Sequence, residues 1–504
     1  MKHRPQPRSV ATSVVASLAA AAAALTAAAC VPDDVGVDPL PPPGEASAAA
    51  AACTIPPLNV DRSLFVSPTA PTEQAALRAR FSLSRILAHV LASSGAARPA
   101  GAAELFHRWW DSQNSAATAV FADTPHCDDA DGTVNGYPVS CPRNEGALAA
   151  ASVSPDSHVP IALVYRPDLA PRDGSYCGEA RVILARPSDT AGRNLIIFEA
   201  AIPNPEPGCG VVGCRRIAAF WAGLSAVNAF SARMAALERF YFTGFDVVHD
   251  GLNMPPALDA AHLGLPDGAG VRRGQIRTNQ FMTGPNPQQW QLREFKLARA
   301  CTPESGCKLY FEPVFVKTNP WGGLFNDLAP SPLGPTFRDA FLGQLTALAP
   351  QDVNAMSMTI GAGFNAGQST AQGTENRYAA QLALGDPAGF RQAITDRLAA
   401  LGLSLTADDI AARATAQSCA GCHQLSNNAL LGGLDPAGAP LRWPASAGFV
   451  HVLETGTRSA ALNNVFLPRR KEILEQYLRD SCTGACPLSN PPDPTPLAGR
   501  PLVH

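Results

Sequence analysis

The stretch Ile161-Ala162-Leu163-Val164-Tyr165 is the first of six short apolar or alternating runs between residues 159 and 317, and it decides that the chain is not all-helical. The others are Ala180 to Arg186, Leu195 to Ala200, Gln275 to Met282, Arg293 to Leu297 and Leu309 to Val316, separated by Pro, Gly and Asp. Runs of this length and composition predict strands. One interruption, Arg216 to Phe240, carries Trp221, Leu224, Val227, Met234 and Leu237 and reads as helix. Upstream, Glu73 to Ser94 and Ala103 to Trp110 have helical spacing; beyond about residue 335 the strand pattern stops, and Pro387 to Leu401, Thr406 to Gln417 and a terminal segment from Pro468 to Asp480 read as helices. Thr406-Ala407-Asp408-Asp409 has the form of a capping box. The expectation is an α+β chain with a mainly helical region over 53–158, a strand-rich mixed region over 159–334, an all-α region within 335–486 and a tail over 487–504.

With 504 residues the chain is longer than one hydrophobic core usually grows, so two or three domains are expected. The formal charge is -3, and loss of Lys2, Arg4 and Arg8 with a leader takes it to -6. Lys and Arg are scattered, and the cluster Arg469-Arg470-Lys471 opens an amphipathic helix, so nucleic-acid partners are set aside. The leader itself spans residues 1–29: a short basic start followed by an uncharged, Ala-rich stretch from Val10 to Ala29. Its exit, Leu25-Thr26-Ala27-Ala28-Ala29-Cys30, resembles the bacterial lipobox, with Ala27 where Leu is usual. Cys30 is therefore the expected lipidation site, simple signal cleavage the alternative, and residues 30–52, with Pro39-Leu40-Pro41-Pro42-Pro43-Gly44, a tether. The expected location is the periplasm or cell surface, on a lipid anchor and with no spanning helix.

Chemistry concentrates at Cys419-Ala420-Gly421-Cys422-His423. Two thiols three positions apart can add to the two vinyl groups of a haem, and the adjacent His then lies beneath the iron as axial ligand. A thioredoxin-like pair, a simple disulfide, or a zinc site completed by Cys482 and Cys486 are the competing readings. With a helix before it and a terminal helix after it, the segment from about 400 to 485 resembles a monohaem c-type cytochrome domain. That resemblance implies one covalent haem c, held by Cys419, Cys422 and His423, and an electron carrier serving a redox protein or a small redox molecule. The usual downstream Met ligand is missing, since no Met follows Met358. His451, in Gly448-Phe449-Val450-His451-Val452-Leu453, is the tentative second axial ligand; Met356, Met358 or an open, peroxidase- or oxidase-like iron are alternatives. Arg442 and Trp443 are further residues that can pack against the haem or pair with a propionate.

Thirteen cysteines is an odd number for an exported chain. Setting aside Cys30, Cys419 and Cys422 leaves ten, which group as Cys127 with Cys141, Cys209 with Cys214, Cys301 with Cys307 and Cys482 with Cys486, leaving Cys53 and Cys177. An oxidising compartment favours disulfides for these. Elsewhere, Glu104 to Asp111 with His107, Trp109 and Trp110 reads as helical core. Asp128-Asp129-Ala130-Asp131-Gly132 is half a calcium loop whose required Glu is replaced by Pro138. His126, and the group His249, Asp250, His262 and Asp267, are too irregular in spacing to define a site.

Overall fold

The computed structural model describes residues 55, 57–187, 193–250, 252–281, 289–304 and 306–482. The leader, Cys30, the tether, Cys53, Cys486 and the 487–504 tail lie outside them. The described residues form one compact unit.

Its centre is an antiparallel sheet. In chain order the strands are β1 (Phe65–Val66), β2 (Val159–Arg166), β3 (Glu179–Ala185), β4 (Leu195–Ala201), β5 (Gln275–Phe281), β6 (Trp290–Thr302), β7 (Gly306–Val314) and β8 (Ser369–Thr370). They lie side by side in the order β1-β2-β3-β4-β5-β6-β8, and β7 pairs with the outer part of the long β6. The six predicted runs thus all become strands, and the chain is mixed α/β around an antiparallel sheet.

Both faces of the sheet are covered, but by different chemistry. Side chains alternate along a strand, and the register aligns Leu163, Val182, Phe198, Ile276 and Phe295 as one apolar row. Helix α1 (Ala102–Asp111) packs on that face: Trp109 stacks on Phe311 at 4.0 Å between ring centres and meets Phe198 and Phe295 edge-on. The opposite face carries Arg181, Glu199, Arg277 and Glu294 on neighbouring strands β3 to β6. Ion pairs link them at 3.1, 3.5 and 3.0 Å, so charges of alternating sign cross the sheet beneath protein.

Several expectations change in detail. The helix predicted over Glu73–Ser94 is two, Pro71–Arg80 and Leu83–Ser93, because Ser82 is extended and its hydroxyl accepts the Arg85 N–H as an N-cap. The segment Arg216–Phe240 likewise divides into Arg215–Gly223 and Phe230–Phe242. The capping box forms: Thr406 Oγ1 accepts from the Asp409 N–H at 3.1 Å and the Asp409 carboxylate accepts from the Thr406 N–H at 2.8 Å, opening helix α2 (Ala407–Gln417). The all-α C-terminal domain is a correction. Strand β8 joins the central sheet, and a hairpin of β9 (Leu430–Leu434) and β10 (Pro440–Arg442) follows the cysteine motif. The terminal helix α3 (Leu467–Cys482) shares one hydrophobic cluster with the strands and the N-terminal helices.

The disulfides follow the same logic. Cys127–Cys141 and Cys301–Cys307 form as grouped by sequence, the latter between residues paired directly across β6 and β7. Cys214 instead bonds Cys177, which corrects the Cys209–Cys214 pairing and the grouping of Cys177 with Cys53. Cys177, just before β3, and Cys214, just before the helix at 215, lie 5.2 Å apart, Cα to Cα, although 37 positions separate them. Cys209 is also disulfide-bonded.

Candidate functional site

Helix α2 delivers the cysteine motif to the charged face of the sheet. Beyond Gln417, Ser418 stops the helix by donating its hydroxyl to the Thr415 carbonyl at 2.8 Å and accepting the Gly421 N–H at 3.0 Å. The Ala420 N–H donates to Ser369 Oγ of β8 at 2.9 Å, tying the turn to the sheet edge. A side chain at Gly421 would collide with the Thr415 carbonyl, so the wide turn Gly421–Leu425 closes only with glycine there.

Cys419 and Cys422 are buried and carry free thiols, whereas Cys127, Cys141, Cys177, Cys209, Cys214, Cys301 and Cys307 are disulfide-bonded. Burial pushes the Cys419 thiol up to about 11 and raises Cys422 well above its ordinary value, so both stay protonated at neutral pH. His423 is also buried, and desolvation holds its imidazole down to about 4, hence neutral. Its Nδ1 lies 2.9 Å from the Phe449 carbonyl. A carbonyl only accepts, so Nδ1 carries the proton and Nε2 keeps its lone pair, the form in which a histidine ligates metal. Trp290 of β6 lies nearly parallel to the His423 ring at 5.3 Å and fixes its plane.

His423 and His451 both line a cavity of about 70 Å3, well below the roughly 300–1,000 Å3 range of cofactor sites. Its walls are apolar side chains from β2 to β4 (Val164, Ile183, Leu195, Ile197) and from the chain before α3 (Leu462, Phe466), with Arg166, Arg181 and Arg470 also contributing. The two imidazole centres are 4.8 Å apart. His451 Nε2 faces Cys422 Sγ at 3.0 Å and Nδ1 faces Ser459 Oγ at 3.0 Å. Burial, then the proximity of His423 and Arg470, hold His451 well below its ordinary value and therefore neutral. Two unoxidised thiols beside a tautomer-fixed imidazole have the chemistry of haem c attachment, but Cys419 and Cys422 do not line the cavity, and it is smaller than a porphyrin, so the space here does not fit that group.

Of the other sequence candidates, Met356 and Met358 are fully buried in two different hydrophobic clusters and neither lines this cavity. Trp443 is buried in the core and its ring neighbours Phe466; the Arg442 guanidinium donates to the Asn428 carbonyl. His107 bonds the Val153 carbonyl at 2.9 Å, and Asp111 accepts the N–H groups of Val120 and Phe121, structural roles in both cases. His262 faces the Pro256 and Ala257 carbonyls, Asp267 pairs with Arg273 and Asp250 with Arg239; the His249 side chain lies outside the described residues. Among the described residues no three His, Cys, Asp or Glu side chains converge as a metal site, and no helix is long and apolar enough to cross a membrane. The sheet's contribution to the cavity was missed from sequence. Its only trace was charged residues, Arg166, Glu179, Arg181 and Glu199, sitting in or at the ends of otherwise apolar runs.

Comparison with protein-family models, with curated proteins and with solved structures finds no match.

Proposed function

We propose that this chain is an exported haem c protein that transfers electrons, with one haem joined to Cys419 and Cys422 and with His423 as proximal iron ligand. The observation that carries the reading is the pair of free thiols beside a neutral His423, in a chain whose other described cysteines are extensively disulfide-bonded. When bound, haem supplies one-electron Fe(II)/Fe(III) chemistry. The protein's own part is to hold His423 by the Phe449 carbonyl and Trp290, to keep water from the chamber with the strand side chains, and to offer two protonated thiols for attachment. The leader-like start and the lipobox-like Cys30 support export and a lipid anchor, and a redox protein or small redox molecule is the proposed partner.

His451 is proposed as second axial ligand because it lines the same cavity as a neutral imidazole. In the haem-loaded protein this predicts a low-spin absorption spectrum that His451→Ala converts toward high spin. An unchanged low-spin spectrum would remove His451 from the coordination sphere. A wild-type high-spin spectrum would favour a haem enzyme with an open iron, and absence of any haem by pyridine haemochrome assay would leave a non-redox surface protein with a Cys or zinc site.

A further inference from the structure

Cys209 is disulfide-bonded, yet to none of the cysteines in the three bridges described above. Cys419 and Cys422 are free thiols. Of the thirteen cysteines in the chain, Cys30, Cys53, Cys482 and Cys486 are left to take the other end of the bond.

The surroundings of Cys209 select among them. Pro207–Cys214 is a tight helical loop that runs into the helix Arg215–Gly223. The last turns of α3 lie directly against it: Tyr477 Oη donates to the Val211 carbonyl, and the Arg215 guanidinium donates to the Ser481 carbonyl at 3.3 Å. Val211, Val212, Tyr477 and Ser481 line one groove of about 410 Å3. Cys482 follows Ser481 directly and is buried, four positions beyond the core residue Leu478 and so on the same face of α3. The N-terminal end of the described chain approaches elsewhere. The Asn59 N–H donates to Ser225 Oγ at 3.0 Å, past the far end of Arg215–Gly223, a helix about 13 Å long.

We propose that Cys209 is joined to Cys482, a bridge that fastens the terminal helix to the loop before residue 215. The bond forms by dithiol–disulfide exchange with a disulfide-bearing oxidant of an oxidising compartment: the two thiols give up two protons and two electrons, the Cys209–Cys482 S–S bond forms, the donor's S–S bond breaks, and the donor leaves as a dithiol. The bridge completes a covalent strap across the cavity beside His423. Cys177–Cys214 ties the same loop to the chain entering β3, whose Arg181 and Ile183 line that cavity, while α3 and the turn before it supply Arg470 and Phe466. Strand wall and helix wall are thereby held together through residues 207–214. Neither thiol of the Cys419–His423 motif takes part, so the strap is independent of haem attachment.

The test is peptide mapping of the full-length protein produced in an oxidising compartment, with free thiols blocked and no reductant present before trypsin digestion. Peptide 480–500 is expected in one species with 194–215, which carries Cys209 and Cys214, and 173–181, which carries Cys177. Because 480–500 holds both Cys482 and Cys486, single variants identify the sulfur: the link persists in Cys486→Ser and is lost in Cys482→Ser. In Cys209→Ser/Cys482→Ser the thermal midpoint is expected to fall by about 5 °C. If a variant lacking Cys482 fails to fold, wild type and Cys486→Ser still decide the pairing. Release of 480–500 without reduction, its attachment only to the peptide carrying Cys53, or a link that survives in Cys482→Ser would overturn the proposal. An unchanged midpoint in the folded double variant would do the same.

Discussion

His158 shows how a single buried side chain can make the fold sensitive to acid. It is 1% exposed, lies edge-on to Phe106 and Trp110, and pairs through Nε2 with Asn194 Oδ1 at 3.1 Å. Burial holds it down to about 4, against an ordinary value near 6.5. Between those values the unfolded chain binds a proton that the folded chain refuses, so the contribution is full above pH 6.5 and is lost as pH falls toward 4. A loss of about 3 kcal/mol over that window is expected from this group. Denaturant titrations from pH 7 to 4 should show a slope that His158→Gln flattens; equal slopes in the two proteins would contradict it. Gly421 sets a second residue-scale prediction. Because any Cβ there meets the Thr415 carbonyl, Gly421→Ala should displace the turn and lower haem incorporation by the maturation machinery, measured as the haem-to-protein absorbance ratio. An unchanged ratio would show that the turn tolerates the shift.

Among the elements, the strands were legible because runs such as Ile161–Tyr165 and Leu195–Ala200 are short, apolar and bounded by turn residues. Helix breaks were less so. Ser82 looks like an ordinary interior residue of a longer amphipathic run until its hydroxyl is seen capping the next helix. The charged sheet face was not legible at all, because Arg181, Glu199, Arg277 and Glu294 become partners only through the register of four strands spread over more than a hundred residues. Two elements give quantitative expectations. Thr406→Ala removes the capping oxygen of α2 and should cost about 1 kcal/mol in denaturant unfolding. Trp109→Ala, which empties the contact between α1 and the sheet, should cost about 3–5 kcal/mol. A larger loss at Thr406 than at Trp109 would mean that α2, not the α1–sheet core, limits stability.

For the whole molecule, one hydrophobic cluster runs from Leu58 and the N-terminal helices through the sheet to Leu478 of α3. The CxxCH segment and its flanking helices are legible in the sequence but this continuity is not, since side chains that bury against distant partners look the same as those that bury locally. The segment 400–482 expressed alone should therefore show no cooperative thermal transition; a sharp transition would restore it as an independent domain. The central claim is that Cys419 and Cys422 are kept as thiols in order to be joined to haem. Its most direct measurement is the intact mass of the full-length protein, and of a Cys419→Ser/Cys422→Ser variant, each expressed with a haem c maturation system. One haem of added mass is expected on wild type, mapped to the peptide containing both cysteines, and none on the variant. Wild type at the mass of the bare polypeptide, or with a disulfide joining Cys419 to Cys422, would contradict it.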